Sequence, residues 1–213
     1  MPMNLRTAPY LEQANAWPAK GRHILAQYDA ETIVVYQAYI PSTGRYAVEH
    51  GKFGEGFSYA RMSWIKPNFL WMMFRSGWGT KPGQEMTLGL RLRRSFFDSL
   101  LAQAVPSSFV QSEYPSDEEW RAAVQASDVR LQWDPDHAPD GRPVERRAIQ
   151  LGLRGAVLEA FGRRELLEVI DLTEFVAEQR RYQSGAEMAE LHTPAERVYI
   201  PDDAAIARRL KLD

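Results

Sequence analysis

Cysteine is absent from the 213 residues, which excludes disulfides, thiolate metal ligands and a cysteine nucleophile and suits a reducing compartment. Long apolar runs are absent too. No segment reaches the roughly 18 uninterrupted apolar residues of a membrane span, and the opening MPMNLRTAPYLEQANAWPAKGR lacks a signal peptide's apolar run and small-residue cleavage site. A cytoplasmic protein with no membrane partner is expected. Neither sign of charge dominates: 26 Lys and Arg stand against 28 Asp and Glu, a net charge of -2. Affinity for phosphate or nucleic acid must therefore come from local clustering.

The familiar nucleotide and metal motifs are also missing. GWGTKPG, residues 77–83, sets Lys81 before Pro82 and is not a phosphate loop, and no G-x-G-x-x-G follows a strand. His23, His50, His137 and His192 stand apart, without helical metal-ligand spacing, so no metal site is expected and each reads as a surface or capping residue. The basic pairs Arg146 with Arg147, Arg163 with Arg164 and Arg180 with Arg181 sit near glutamates and read as solvated charged surface.

What is present is a globular chain, 45% hydrophobic and 25% charged. Residues 1–21, broken by Pro2, Pro9, Pro18 and Gly21, are expected to form an irregular surface arm, and 22–213 a single α+β domain. ETIVVYQAYI (31–40) reads as a buried strand interrupted only by Gln37, followed by a short helix that Ser42 or Thr43 caps and Gly51 ends. EMTLGLRLRR (85–94) reads as a strand and FFDSLLAQA as a helix capped by Ser95. Ser116 and Glu119 form a capping-box pair. Strands are expected at 129–135, 147–155, 166–173 and 196–201, with a polar loop at 134–143 and short helices through the final third. The pattern predicts an α+β fold with a compact mixed or mainly antiparallel sheet and short surrounding helices.

One region is chemically unusual. From Gly56 to Gln84 there is no Asp or Glu, while Arg61, Lys66, Arg75 and Lys81 alternate with Phe57, Trp64, Phe69, Trp71, Phe74 and Trp78. PNFLWMMFRS, with Pro67 at its first position and Gly77 past its end, reads as a core helix that buries Trp71, Met72, Met73 and Phe74. Its flanks RMSWIK and RSGWGTK carry basic groups beside Ser63, Trp64 and Trp78, a mixture suited to an anionic ligand with flat rings. A nucleotide or dinucleotide is the expected ligand, and a non-catalytic module binding nucleic acid through the same surface is the alternative.

The segments YDAETIVVYQAY, RMSWIKPNFLWMMFRSGWGTKPGQE, RLQWDPDHAPDGRPVERRAIQLGLRG and TPAERVYIPD resemble a family known as domain of unknown function 4291, found in bacteria and fungi. At a second level, IVVYQAYIPSTGRYAVEHGKF resembles the opening of the ADP-ribosyltransferase fold. That resemblance implies a split β-sheet whose cleft holds NAD as substrate, with ADP-ribose passed to an acceptor. Gln37 would take the cleft position on the strand and Glu196 that of the late acid. Tyr36, Tyr39 and Trp64 are then the stacking candidates, and Arg61, Lys66, Arg75 and Lys81 the phosphate candidates. Cleaving the nicotinamide bond passes through an oxocarbenium-like state that a carboxylate stabilises.

Overall fold

The computed structural model describes residues 5–213. In chain order the strands are β1 (Thr7–Pro9), β2 (Gly21–Arg22), β3 (Ile24–Ala26), β4 (Thr32–Tyr39), β5 (Ser63–Ile65), β6 (Met86–Arg93), β7 (Val105–Pro106), β8 (Val129–His137), β9 (Pro143–Leu153), β10 (Leu166–Asp171), β11 (His192–Pro194) and β12 (Arg197–Tyr199). The α-helices are α1 (Tyr10–Ala16), α2 (Pro41–His50), α3 (Phe69–Ser76), α4 (Arg94–Gln103), α5 (Asp117–Ala126), α6 (Gly155–Ala160), α7 (Thr173–Gln179) and α8 (Ala204–Leu210). The class is α+β.

Two sheets position the site. One is antiparallel in the order β10-β6-β4, and the other runs β2-β9-β8-β7 with β5 also on β9. They meet at a seam. β5 pairs Ser63 with Leu153 and Ile65 with Leu151 of β9, and the next residue, Lys66, crosses to β4. There Tyr36 N donates to Lys66 O at 2.7 Å and Lys66 N to Tyr36 O at 3.3 Å.

Alternation along β4 explains why it is buried on both sides. Ile33 and Val35 join the larger apolar cluster with Leu88, Leu90, Leu92, Phe97 and Phe161. Val34 and Tyr36 join a second cluster with Phe69, Met73, Trp78 and Leu172. Each buried Leu of β6 contributes on the order of 1.5–3 kcal/mol by leaving water. Helix α2 lies close against this sheet because Gly44 has no side chain: a Cβ there would meet Met86 Sδ at 2.4 Å.

Several helix starts differ from the sequence expectation. α2 begins at Pro41 after an extended Ile40, so Ser42 and Thr43 lie inside its first turn and no side chain caps it. Proline's fixed φ suits the first helical position, which starts the helix before either hydroxyl could cap it. α3 begins at Phe69, capped by Asn68, whose side chain accepts from Trp71 N at 2.6 Å, and Pro67 stands outside. α4 begins at Arg94, which leaves Ser95 within the helix and not at its cap. At α5 the Ser116 Oγ accepts from Glu119 N at 3.1 Å, as the pair predicts.

The arm is the larger correction. Its residues 1–4 lie outside the described residues, but β1 pairs with β11 and α1 packs beside it. Leu5 and Trp17 enter the second apolar cluster. The β8–β9 loop is shorter than expected because β8 continues to His137.

Candidate functional site

The cleft lies along the seam. Its inner lobe, about 180 Å³, is lined by Gln37, Ala38 and Tyr39 of β4, by Met62, Ser63, Trp64 and Lys66 on and around β5, by Met72 and Arg75 of α3, and by Gln84. An outer lobe of about 320 Å³ shares Tyr39, Met62 and Ser63 and adds Ile40, Thr43, Gly56, Phe57, Ser58, Arg61 and Gly83. Among the described residues, no acidic residue lines either lobe.

Strand geometry aims these groups. Tyr36 and Gln37 are consecutive on β4 and so point to opposite faces: Tyr36 is buried against Phe69, ring centroids 5.4 Å apart, and Gln37 faces the cleft. The Gln37 amide is fixed by what it touches. Its Nε2 donates to Ser63 Oγ at 2.7 Å and to the Trp64 carbonyl at 3.0 Å, and a carbonyl accepts only from the nitrogen. Its Oε1 is buried without a hydrogen-bond partner among the described residues. Tyr39 OH pairs with Ser63 Oγ at 3.0 Å. Trp64 lies over Gly152 of β9, where a Cβ would come within 3.0 Å of the indole, so glycine there seats the ring.

Lys66 is the electrostatic anomaly. It is 6% exposed, yet its Nζ makes one long hydrogen bond, 3.4 Å to Trp64 O, and no ion pair among the described residues. Burial, and then the nearby Arg75, lower its pKa from 10.5 to about 8, with Asp134 pulling the other way. A buried ammonium without a carboxylate is costly, and an anion entering the cleft would relieve that cost. Arg75, on the exposed face of α3, has no ion pair among the described residues either.

Gln37, Tyr39, Ser63, Trp64, Lys66 and Arg75 thus come together in the inner lobe, and Arg61 stands in the outer one. Four candidates stand elsewhere. Tyr36 is fully buried in the core and cannot stack on a ligand. Trp78 is not on a polar flank: it is 4% exposed, its Nε1 donates to Pro139 O at 3.0 Å, and its ring meets Phe69 edge-on. The chain turns it inward through a left-handed backbone at φ +55°. Lys81 Nζ donates to Arg75 O at 2.7 Å, so it serves the C-terminal end of α3, where cations are favoured.

Glu196 lies behind α3, in the interior and outside the cleft lining. Its Oε1 accepts from Phe69 N at 2.8 Å, its N donates to Gln13 Oε1 at 2.8 Å, and Trp17 Nε1 donates to its carbonyl at 2.9 Å. The Tyr36 hydroxyl lies beside the carboxyl without a well-formed hydrogen bond. Burial holds the Glu196 pKa well above the ordinary carboxylate range, opposed by the Phe69 N–H. Close by, Asp136 Oδ2 accepts from Arg146 Nε at 2.8 Å and Nη2 at 2.7 Å, both residues buried. Arg146 therefore belongs to the interior and not to a solvated charged face.

Other expectations change with these. Phe74, expected in the core, is 38% exposed, and His137, expected at the surface, is buried and stacked on Phe74 with centroids 3.5 Å apart. Sequence reasoning assigned none of Met62, Met72, Gln84, Ile40 or Thr43 to the site, taking Met72 for core and Thr43 for a helix cap, though Ile40 and Met62 adjoin residues that it did assign. Among the described residues no group of three His, Asp or Glu is placed to hold a metal ion, and no helix is long and apolar enough to cross a membrane.

Compared with known proteins, residues 23–199 match the family model described as Domain of unknown function (DUF4291). No curated protein matches the chain.

Proposed function

The chain belongs to the family of the domain of unknown function DUF4291, and from that premise we propose that it binds a phosphate-bearing nucleotide or dinucleotide in the cleft between β4, β5 and α3. The observation that carries this reading is Lys66, a buried cation that, among the described residues, has no counterion and lines with Arg75 a cleft without an acidic residue. In this reading Arg75 at the mouth takes the phosphate, since a guanidinium offers a fixed fork of donors. Lys66 adds positive potential from below. The outer lobe receives the nucleoside against Ile40, Phe57 and Tyr39, with Arg61 at its edge. Together the two lobes suit a ligand of nucleotide or dinucleotide size, within the roughly 300–1,000 Å³ usual for such sites.

The resemblance of the β4–α2 segment to the ADP-ribosyltransferase opening makes NAD the first ligand to try. The proposal is for binding. A carboxylate that steers attack on an oxocarbenium-like carbon has no counterpart in the lining, because Glu196 is enclosed behind α3.

The test is calorimetry and thermal shift with NAD, ADP and pyrophosphate on the wild type and on Arg75→Met. The expected result is stabilisation of the wild type and an affinity loss of about 10- to 100-fold in the variant, as for one charge-assisted contact worth roughly 1.5–3 kcal/mol. No shift with any of the three overturns the proposal. Binding of single-stranded oligonucleotides alone, with steep salt dependence, would replace it with the nucleic-acid module.

A further inference from the structure

We propose that Lys66 forms an imine with the open-chain aldehyde of a phosphate-bearing sugar held in the inner lobe. This rests on the reading above in one respect: Arg75 holds the phosphate. The remaining support is independent of it.

An imine-forming lysine needs an amine free of carboxylate partners, access to the ligand, and hydroxyls able to move protons. Lys66 meets the first requirement, having no ion pair among the described residues and one 3.4 Å bond to a carbonyl. It meets the second by lining the inner lobe. The third is met across the same lobe by Tyr39 OH and Ser63 Oγ, 3.0 Å apart, either of which can be the donor. Burial keeps Tyr39 in its neutral, proton-bearing form. A guanidinium retains its charge and suits phosphate, whereas a buried amine gives up its proton readily, so the two neighbours divide the work.

With its pKa at about 8, Lys66 is about one-tenth free amine at pH 7, whereas an unperturbed lysine is free in roughly one molecule in 2,500. Lower basicity costs about tenfold in intrinsic nucleophilicity if amines follow the Brønsted slope of about 0.4–0.5 seen for thiols. A net advantage of at least tenfold remains.

The step balances without an oxidant. The Nζ lone pair attacks the aldehyde carbon, the C=O π pair moves to oxygen, and that oxygen takes a proton from the hydroxyl pair as the nitrogen releases one to it. The carbinolamine hydroxyl then takes a proton from the hydroxyl pair and leaves as water while the nitrogen lone pair forms C=N, and the remaining N–H proton returns to that pair. Amine and aldehyde become imine and one water. The sugar class is the ribose phosphate that remains when a nucleotide loses its base, so the reaction supplying it would be one that cleaves a glycosidic bond.

The test uses the full chain with ribose 5-phosphate and cyanoborohydride, which reduces an imine to a stable secondary amine, followed by peptide mass mapping. The expected result is an adduct at Lys66 formed at least tenfold faster than at exposed Lys52 or Lys211, at a rate that rises as pH passes through about 8. Ribose without phosphate should react more slowly at Lys66 but not at the surface lysines. Labelling of Lys66 no faster than the surface residues overturns the proposal. Thermal shift with ribose 5-phosphate and pyrophosphate on the same sample separates the two readings. Stabilisation without a Lys66 adduct overturns imine formation alone, and absence of both overturns imine formation and the phosphate site together.

Discussion

Two polar groups of side chains lie back to back across β4 and α3, and, the buried Tyr36 hydroxyl apart, they differ in whether their members are partnered. Behind α3, Asp136 is paired with Arg146, and the polar groups of Glu196 are held by Phe69 N, Gln13 and Trp17. In front, among the described residues, Lys66 has no counterion and Gln37 Oε1 has no partner. Buried polar groups that are satisfied fix a structure, and those left unsatisfied beside a cavity mark where a ligand completes it. The difference separates Glu196 from Lys66 more sharply than residue type does.

The largest effect that would sharpen this comparison is at the back. Arg146→Met leaves Asp136 buried without its partner and should destabilise the fold by about 3–5 kcal/mol, measured by urea denaturation. The front should respond in the opposite sense. Lys66→Met removes a buried unpaired cation and should stabilise the protein by up to about 3 kcal/mol below pH 8 while weakening anion binding. The pH dependence follows from the same shift. The folded-state pKa of Lys66, about 8, lies below its ordinary 10.5, so between those values the unfolded chain holds the extra proton. Lys66 therefore makes stability rise with pH across that window, and the Met variant should lack this rise.

Smaller effects test the roles assigned to the remaining candidates. Glu196→Gln should change stability by less than about 1 kcal/mol at neutral pH, because burial already disfavours the charged carboxylate and the amide retains the oxygen that accepts from Phe69 N. Its ligand affinity should match the wild type, and a large affinity loss would place Glu196 in the binding site. Lys81→Met should cost about 0.3–1 kcal/mol through the end of α3 and leave ligand affinity unchanged.

Much of the fold was legible because β4, β6 and α5 carry local signals: β-branched runs, alternation and the Ser116 cap. The N-terminal segment was not, since β1 exists only by pairing with β11 far along the chain. Most of the cleft was legible as an acid-free basic and aromatic stretch. The failures arise from side-chain direction. Tyr36 and Gln37 look equally available in sequence, and only the seam with Lys66 decides which face of β4 borders the cleft. Trp78 is turned inward by one left-handed residue. Glu196 is enclosed through a hydrogen bond spanning 127 positions, which no local pattern encodes.

The most direct measurement is the pKa of Lys66 itself, by NMR of the lysine side chain with and without pyrophosphate. The account predicts a value near 8 in the free protein and a clear rise when pyrophosphate binds. A free value near 10.4, the ordinary lysine figure, or one that pyrophosphate leaves unmoved, would contradict it.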